Sequence, residues 1–211
     1  MFIIKILGII GSKRKDGNTS ALIQKAVEAA VEEGIQAEII FLGDYVIKDC
    51  TGCEGCKNTY KCVINDDMQK LYPRLLEADA IILGSPTYFY NVSAVVKAFI
   101  DRCYCFEVFA EDDRSVWMGI GEVLGGKYAV VMAVCEQHFE ADMGCTIEAM
   151  TKPLEALGYR VIDTLQALGL FKKQAALNNE KILDQAAEAG KKLAKTLKLR
   201  KEIEKKLNSI D

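Results

Sequence analysis

An α/β sandwich around a five-stranded parallel sheet is the architecture this 211-residue sequence predicts. Five short runs of apolar, largely β-branched residues alternate with helical stripes, an order that builds parallel sheets covered on both faces. The first run is nearly continuously apolar, without the in-and-out alternation of a half-exposed strand. Half the residues are hydrophobic and 27% are charged, the profile of a globular chain able to bury a sizeable core.

Phe2–Ile10 reads as the first strand. Ser20–Glu33 follows with apolar residues at 22, 23, 26, 27, 30 and 31, a helical stripe that Gly34 can close. Ala37–Leu42 is the second strand, and a cysteine-rich insertion comes after it. Asp66 or Asp67 can cap a helix running toward Ala78, with a kink or restart expected at Pro73. Ala80–Gly84 is the third strand and Ser93–Cys103 a helix. Tyr104–Gly126 has no regular pattern and is expected to cover a site or join a subunit interface. Lys127–Val134 is the fourth strand, a helix spans about 143–157, and Arg160–Leu168 is the fifth strand. A long amphipathic helix over 179–207 closes a chain that we expect to form a single domain, 1–211.

The net charge of -3 offers no attraction to nucleic acid. Lys191, Lys192, Lys195, Lys198, Lys201, Lys205 and Lys206 on the last helix are interleaved with Glu202 and Glu204 and a Leu/Ile stripe, the pattern of a solvated face. No apolar run is long enough to span a bilayer, and no basic segment precedes the first one. The expectation is a cytoplasmic protein with reduced thiols, where clustered cysteines signal metal or redox chemistry. The single histidine, His138, is expected to have a surface or packing role rather than to donate protons.

Two loops carry ligand signals. "GSKRKDGNTSAL" leads from the first strand into a helix N-terminus, whose unpaired N–H groups can receive a phosphate. Ser12, Lys13, Arg14, Asn18, Thr19 and Ser20 are its candidate donors, although Thr19 or Ser20 can equally be a simple helix cap. The loop is neither a G-x-G-x-x-G fingerprint nor a G-K-[ST] loop. After the third strand, Pro86, Thr87, Tyr88, Phe89, Tyr90 and Asn91 supply aromatic rings and backbone amides. In a doubly wound sheet of order 2-1-3-4-5 these loops flank the topological switch point, where FMN binds.

The third signal is Cys50-x-x-Cys53-x-x-Cys56-x5-Cys62. Three ligands in consecutive C-x-x-C steps suit one face of a 4Fe–4S cube, with the fourth closing the remaining iron. Gly52 and Gly55 let backbone N–H groups approach the sulfurs, and Lys57 and Lys61 can offset cluster charge. A four-cysteine zinc site is the rival, although zinc sites usually draw on two separated C-x-x-C pairs. Cys103, Cys105, Cys135 and Cys145 have no such spacing and read as small hydrophobes.

The two loops, with Pro86-x-Tyr88, Ala94-x-x-Lys97 and Asp101-Arg102, resemble the NADPH-dependent FMN reductase group of flavodoxin-like proteins. With the cysteine segment and the Asp66-Asp67-Met68 that follows it, the resemblance narrows to the iron–sulfur flavoproteins of anaerobic prokaryotes. It covers the first half of the chain well, and the second half in the order of its elements.

The resemblance implies a flavodoxin-like fold, FMN in the switch-point loops, and a 4Fe–4S cluster ligated by Cys50, Cys53, Cys56 and Cys62. It also implies electrons arriving from a ferredoxin and a homodimer or homotetramer. Relatives often carry a glycine-rich loop after the fourth strand, whereas Cys135–Glu140 here has no glycine until Gly144. Two other functions stay open: a pyridine-nucleotide-dependent flavin or quinone reductase with a structural cysteine segment, and a non-enzymatic flavin- or metal-binding regulator.

Overall fold

The structure, a computed structural model, describes residues 4–57 and 59–209. Strand β1 (Lys5–Ile10), helix α1 (Asn18–Glu32) and β2 (Gln36–Phe41) come first. The cysteine-rich segment leads to α2 (Met68–Glu77), β3 (Ala80–Pro86) and α3 (Ala94–Arg102). A short antiparallel hairpin, β4 (Glu107–Phe109) with β5 (Trp117–Gly119), precedes the one-turn α4 (Ile120–Val123). Then come β6 (Lys127–Val134), α5 (Glu148–Ala156), β7 (Tyr159–Ala167) and α6 (Glu180–Leu207).

The main sheet is parallel throughout, in the order β2-β1-β3-β6-β7. With the hairpin set aside this is the flavodoxin-like 2-1-3-4-5 arrangement the sequence predicts. Successive strand residues face opposite layers. Ile6, Ile10, Ile82 and Met132 pack under α1 and α6, while Leu7, Ile9, Ile81 and Leu83 pack under α2, α3 and α5. Both faces are therefore apolar, which explains the continuous hydrophobic runs. Helices α1 and α6 cross closely, since a Cβ on Gly190 would sit 2.0 Å from the Ala26 carbonyl oxygen. Among the described residues, no helix is long and apolar enough to cross a membrane.

Three expectations need correction. Helix α2 continues through Pro73, without the restart expected there. Pro73 forfeits one backbone hydrogen bond, but burial of Leu71, Tyr72 and Leu75 around it holds the helix in place. The helix expected from about 143 begins as α5 only at Glu148, after a 3-10 turn at Glu140–Met143 and a left-handed Gly144 (φ 57°). The patternless stretch 104–126 contains β4, β5 and α4, whose lengths of three or four residues are too short to give a periodic signal. Residues 2 and 3 of the expected first strand lie outside the described residues.

Lys127, at the start of β6, is buried. Its ammonium donates to the carbonyls of Leu75 (3.0 Å), Leu76 (2.7 Å) and Ala78 (2.5 Å), closing the C-terminal end of α2. Those carbonyls have no helical partners, and the helix dipole favours a cation beside them. Lys127→Met should cost about 3 kcal/mol by leaving buried acceptors unpaired, read as a lower urea midpoint at unchanged slope.

Candidate functional site

All five parallel strands deliver their following loops to one edge of the sheet. At the switch point between β1 and β3 those loops enclose a cavity of about 350 Å³. Its floor is the β1–α1 loop. Gly11 passes so close to β3 and α3 that a Cβ there would lie 2.7 Å from the Gly84 oxygen and 2.0 Å from Val96. Buried Ser12 accepts the Arg14 N–H at 3.1 Å, and the Gly17 N–H donates to the Arg14 carbonyl at 3.1 Å, folding the loop into a tight turn. The N-cap of α1 is Gly17, with no side-chain cap. Neither Thr19 nor Ser20 is a cap, so the first-turn amides stay available to a ligand.

Ser12, Arg14, Asn18 and Thr19 line the cavity on this side, and Pro86, Thr87, Tyr88 and Phe89 line it opposite. Four expected residues stand outside the lining. Ser20 turns inward and donates to the Arg14 carbonyl at 3.0 Å. Lys13 is exposed and its backbone packs on Gly43. Tyr90 and Asn91 shape the aromatic loop. Asn18 is occupied by the fold as well. Its amide donates to the Leu170 and Lys172 carbonyls at 3.2 and 2.9 Å, and its oxygen accepts the Ala176 N–H at 3.0 Å.

The aromatic loop is a strained turn. Tyr88 and Asn91 exchange backbone hydrogen bonds at 2.7 and 3.2 Å, and Phe89 and Tyr90 between them take φ of 47° and 66°. Bulky side chains rarely adopt that region. Phe89 is 95% exposed at the cavity mouth and meets Tyr90 edge to face. The loop after β6 braces the turn from behind: the Cys145 N–H donates to the Tyr90 carbonyl at 3.0 Å. A Cβ on Gly144 would sit 2.3 Å from that oxygen, so only glycine fits. Thr87 Oγ1 is buried with no hydrogen-bond partner among the described residues, the kind of orphaned polar atom a ligand satisfies.

Sequence reasoning missed a further wall of the cavity, Leu170–Lys173, together with Val134 and Glu136. The signal was available in "GLFKKQ" after the last strand, because every loop at this edge converges on the same crevice. Lys173 pairs with Asp16 at 2.5 Å, tying this wall to the first loop. His138 packs on the Phe171 ring, with centroids 5.1 Å apart, and against Gly169.

The cysteine segment lies on the other layer, below α3. Cys50 and Cys53 are exposed, while Cys56 and Cys62 are half-buried against the core. All eight cysteines are free thiols. Among the described residues, no three Cys, His, Asp or Glu side chains converge closely enough to hold one metal ion. The four thiols nevertheless sense each other. Burial pushes the Cys56 thiol up, and Cys62, Cys50 and Cys53 push the same way. Cys53 is held below the usual thiol range by the Gly55 backbone N–H and then the Thr51 hydroxyl.

What fastens the segment is Arg102, the last residue of α3, in a buried ion pair with Asp66. Asp66 also accepts the Lys48 and Met68 N–H groups at 2.8 and 3.0 Å, closing the loop at both ends. Gln69 donates to the Cys62 and Ile64 carbonyls, both at 2.8 Å. On the outside, Arg114 bridges Glu54 (2.7 Å) and the Tyr104 hydroxyl (2.6 Å), attaching the hairpin.

Burial raises the Asp66 carboxyl, but the Arg102 guanidinium and the two backbone amides outweigh it and hold the group below the usual carboxylate range. A depressed pKa contributes stability that is complete above the unfolded value near ~4 and is lost as pH falls through the folded one. Asp66→Asn should therefore cost about 3 kcal/mol at pH 7. The gap between the urea midpoints of the two proteins should then narrow as pH drops below ~4.

A family model described as NADPH-dependent FMN reductase matches residues 4–147. An iron-sulfur flavoprotein of Methanocaldococcus jannaschii is 48% identical over 99 residues, 47% of this chain and 51% of that protein. An iron-sulfur flavoprotein of Archaeoglobus fulgidus is 46% identical over 99 residues, covering 47% and 48% respectively. The chain thus spans about half the length of the curated relatives it matches. Among solved structures, a flavone reductase superposes with TM-score 0.71 at 21% identity, covering 92% of this chain and 63% of that one. A flavodoxin from Archaea gives 0.57 at 16%, covering 92% and 99%. These two likenesses show the fold.

Proposed function

The chain belongs to the NADPH-dependent FMN reductase family, and on that premise we propose that it is an FMN- and 4Fe–4S-containing electron-transfer flavoprotein. It takes electrons from a one-electron donor such as ferredoxin and delivers them to a further acceptor. The observation that carries this reading is the attachment of two distinct sites to one helix. Ser93, the N-cap of α3, donates to the Gly11 carbonyl in the β1–α1 loop at 2.6 Å, while Arg102 at the other end holds the cysteine segment.

The residues fit both groups. At the switch point, uncapped amides of α1, Ser12 and Arg14 suit a phosphate, and the unpartnered Thr87 hydroxyl and the Tyr88–Phe89 rings suit a flat polar ring. In the segment, Cys50, Cys53, Cys56 and Cys62 supply four thiolates, with N–H groups from Gly55 and Arg102 directed at sulfur. The curated relatives named iron-sulfur flavoprotein support the same pairing of groups. When bound, FMN supplies one- or two-electron chemistry and the cluster one-electron exchange.

The protein's own part is positioning. The Arg14–Gly17 turn presents amides toward the phosphate end, Gly144 and Cys145 hold the aromatic turn against the cavity, and Arg102 seats Cys62. Exposed Val116, Trp117 and Met118 on the hairpin support assembly of the chain with copies of itself.

Protein purified without oxygen should contain FMN and about four iron and four sulfide per chain, and reduced ferredoxin should bleach the flavin in a stopped-flow experiment. Stoichiometric zinc without sulfide, or a flavin that ferredoxin never reduces, would contradict the proposal. A Cys50→Ser, Cys53→Ser double variant whose flavin NADPH reduces as fast as wild type would favour the pyridine-nucleotide reductase instead.

A further inference from the structure

Arg102 uses its guanidinium completely. Its side chain has no exposed surface. Nη1 donates to the Lys48 carbonyl (2.9 Å) and Asp66 Oδ2 (2.6 Å), and Nη2 to the Ile64 carbonyl (3.3 Å) and Asp66 Oδ1 (3.1 Å). The fifth donor, Nε, points at Cys62 Sγ at 3.3 Å. Four bonds fix the carboxylate and two backbone strands of the loop. The fifth serves a sulfur that the fold alone does not need to satisfy, because a thiol tolerates an apolar site.

We propose that Arg102 is a positioning residue that sets the reduction potential of the cluster held by Cys62, through its Nε–H···Sγ hydrogen bond. The inference rests on the reading of Cys50–Cys62 as cluster ligands. A four-iron, four-thiolate cluster gains a full negative charge when it accepts an electron, part of it on the ligand sulfurs. A charge-assisted N–H donor on one sulfur therefore stabilises the reduced form more than the oxidised form. Burial strengthens the effect, since little solvent screens it. Lysine cannot substitute: one ammonium cannot serve the Asp66 carboxylate bidentately and also reach a sulfur on the opposite edge.

The test is an EPR-monitored redox titration of the anaerobic holoprotein as wild type, Arg102→Lys and Asp66→Asn. Arg102→Lys keeps a cation for Asp66 but removes Nε–H. It should lower the equilibrium constant for cluster reduction about tenfold, roughly 59 mV for one electron, and leave the flavin couple in place. Asp66→Asn removes a negative charge and keeps Nε–H, so it should move the cluster in the opposite direction. A purely structural Arg102 would instead give both variants loss of iron with no directed shift. An unchanged cluster potential in iron-loaded Arg102→Lys would overturn the proposal.

If Arg102→Lys fails to hold iron, wild-type protein labelled with 15N-arginine decides by pulsed EPR of the reduced cluster. A 15N coupling supports the bond, and no coupling overturns it. Wild-type protein without iron and sulfide would fell the cluster reading and the inference together. A cluster of normal stoichiometry with no arginine coupling would fell the inference alone.

Discussion

The burial of Arg102 against Asp66 makes the cysteine segment part of the folded body. Among the described residues of the stretch 45–67 there is no sheet and no long helix, and their polar backbone needs partners to stay ordered. One guanidinium supplies two carbonyls with donors, and the carboxylate it neutralises takes two backbone N–H groups in return. Breaking such a pair costs far more than forming it gains, because the survivor is a buried, unpaired charge. That asymmetry favours one arrangement of the loop. Helix α3 extends the constraint, since its nine residues reach about 14 Å from the Ser93–Gly11 latch to Arg102. The switch-point loop and the cysteine segment are thereby held by a single rigid element.

At the switch point the organising feature is strain. Holding Phe89 and Tyr90 at positive φ costs on the order of 1–3 kcal/mol each. The turn persists because Tyr88 and Asn91 bond across it and Gly144 and Cys145 clamp the Tyr90 carbonyl. The result is an aromatic ring projected over a polar crevice, where a flat ligand gains most by covering it. Cys135–Glu140 carries no glycine, unlike the glycine-rich loop relatives often have after this strand. Gly144 supplies the close approach a few residues later, against the aromatic turn.

The fold was legible because each strand is covered on both faces and the helical stripes repeat faithfully. Lys127–Val134 begins and ends where the apolar run does. The hairpin β4–β5 was not legible, since three-residue strands carry no period. In the site, residue type told which side chains carry polar groups but not where they turn. Ser20 looked like a ligand donor, and its hydroxyl bonds the Arg14 carbonyl instead, whereas Asn18 lines the cavity with its amide bonded to the Leu170 and Lys172 carbonyls. Arg102 entered the sequence reading only through a family pattern. Its pairing with Asp66, 36 positions away, is set by how α3 lies over the loop.

The most direct measurement of this account is native-state hydrogen exchange on cluster-free protein, followed at the amides of Val46, Lys48 and Met68. These donate to Asp67 and Asp66 at 2.8 to 3.0 Å. If the buried ion pair orders the segment by itself, they exchange orders of magnitude more slowly than a free chain, opening together with α2. Exchange at free-chain rates, with the β3 amides still protected, would show that the segment is not built into the fold and would contradict the account.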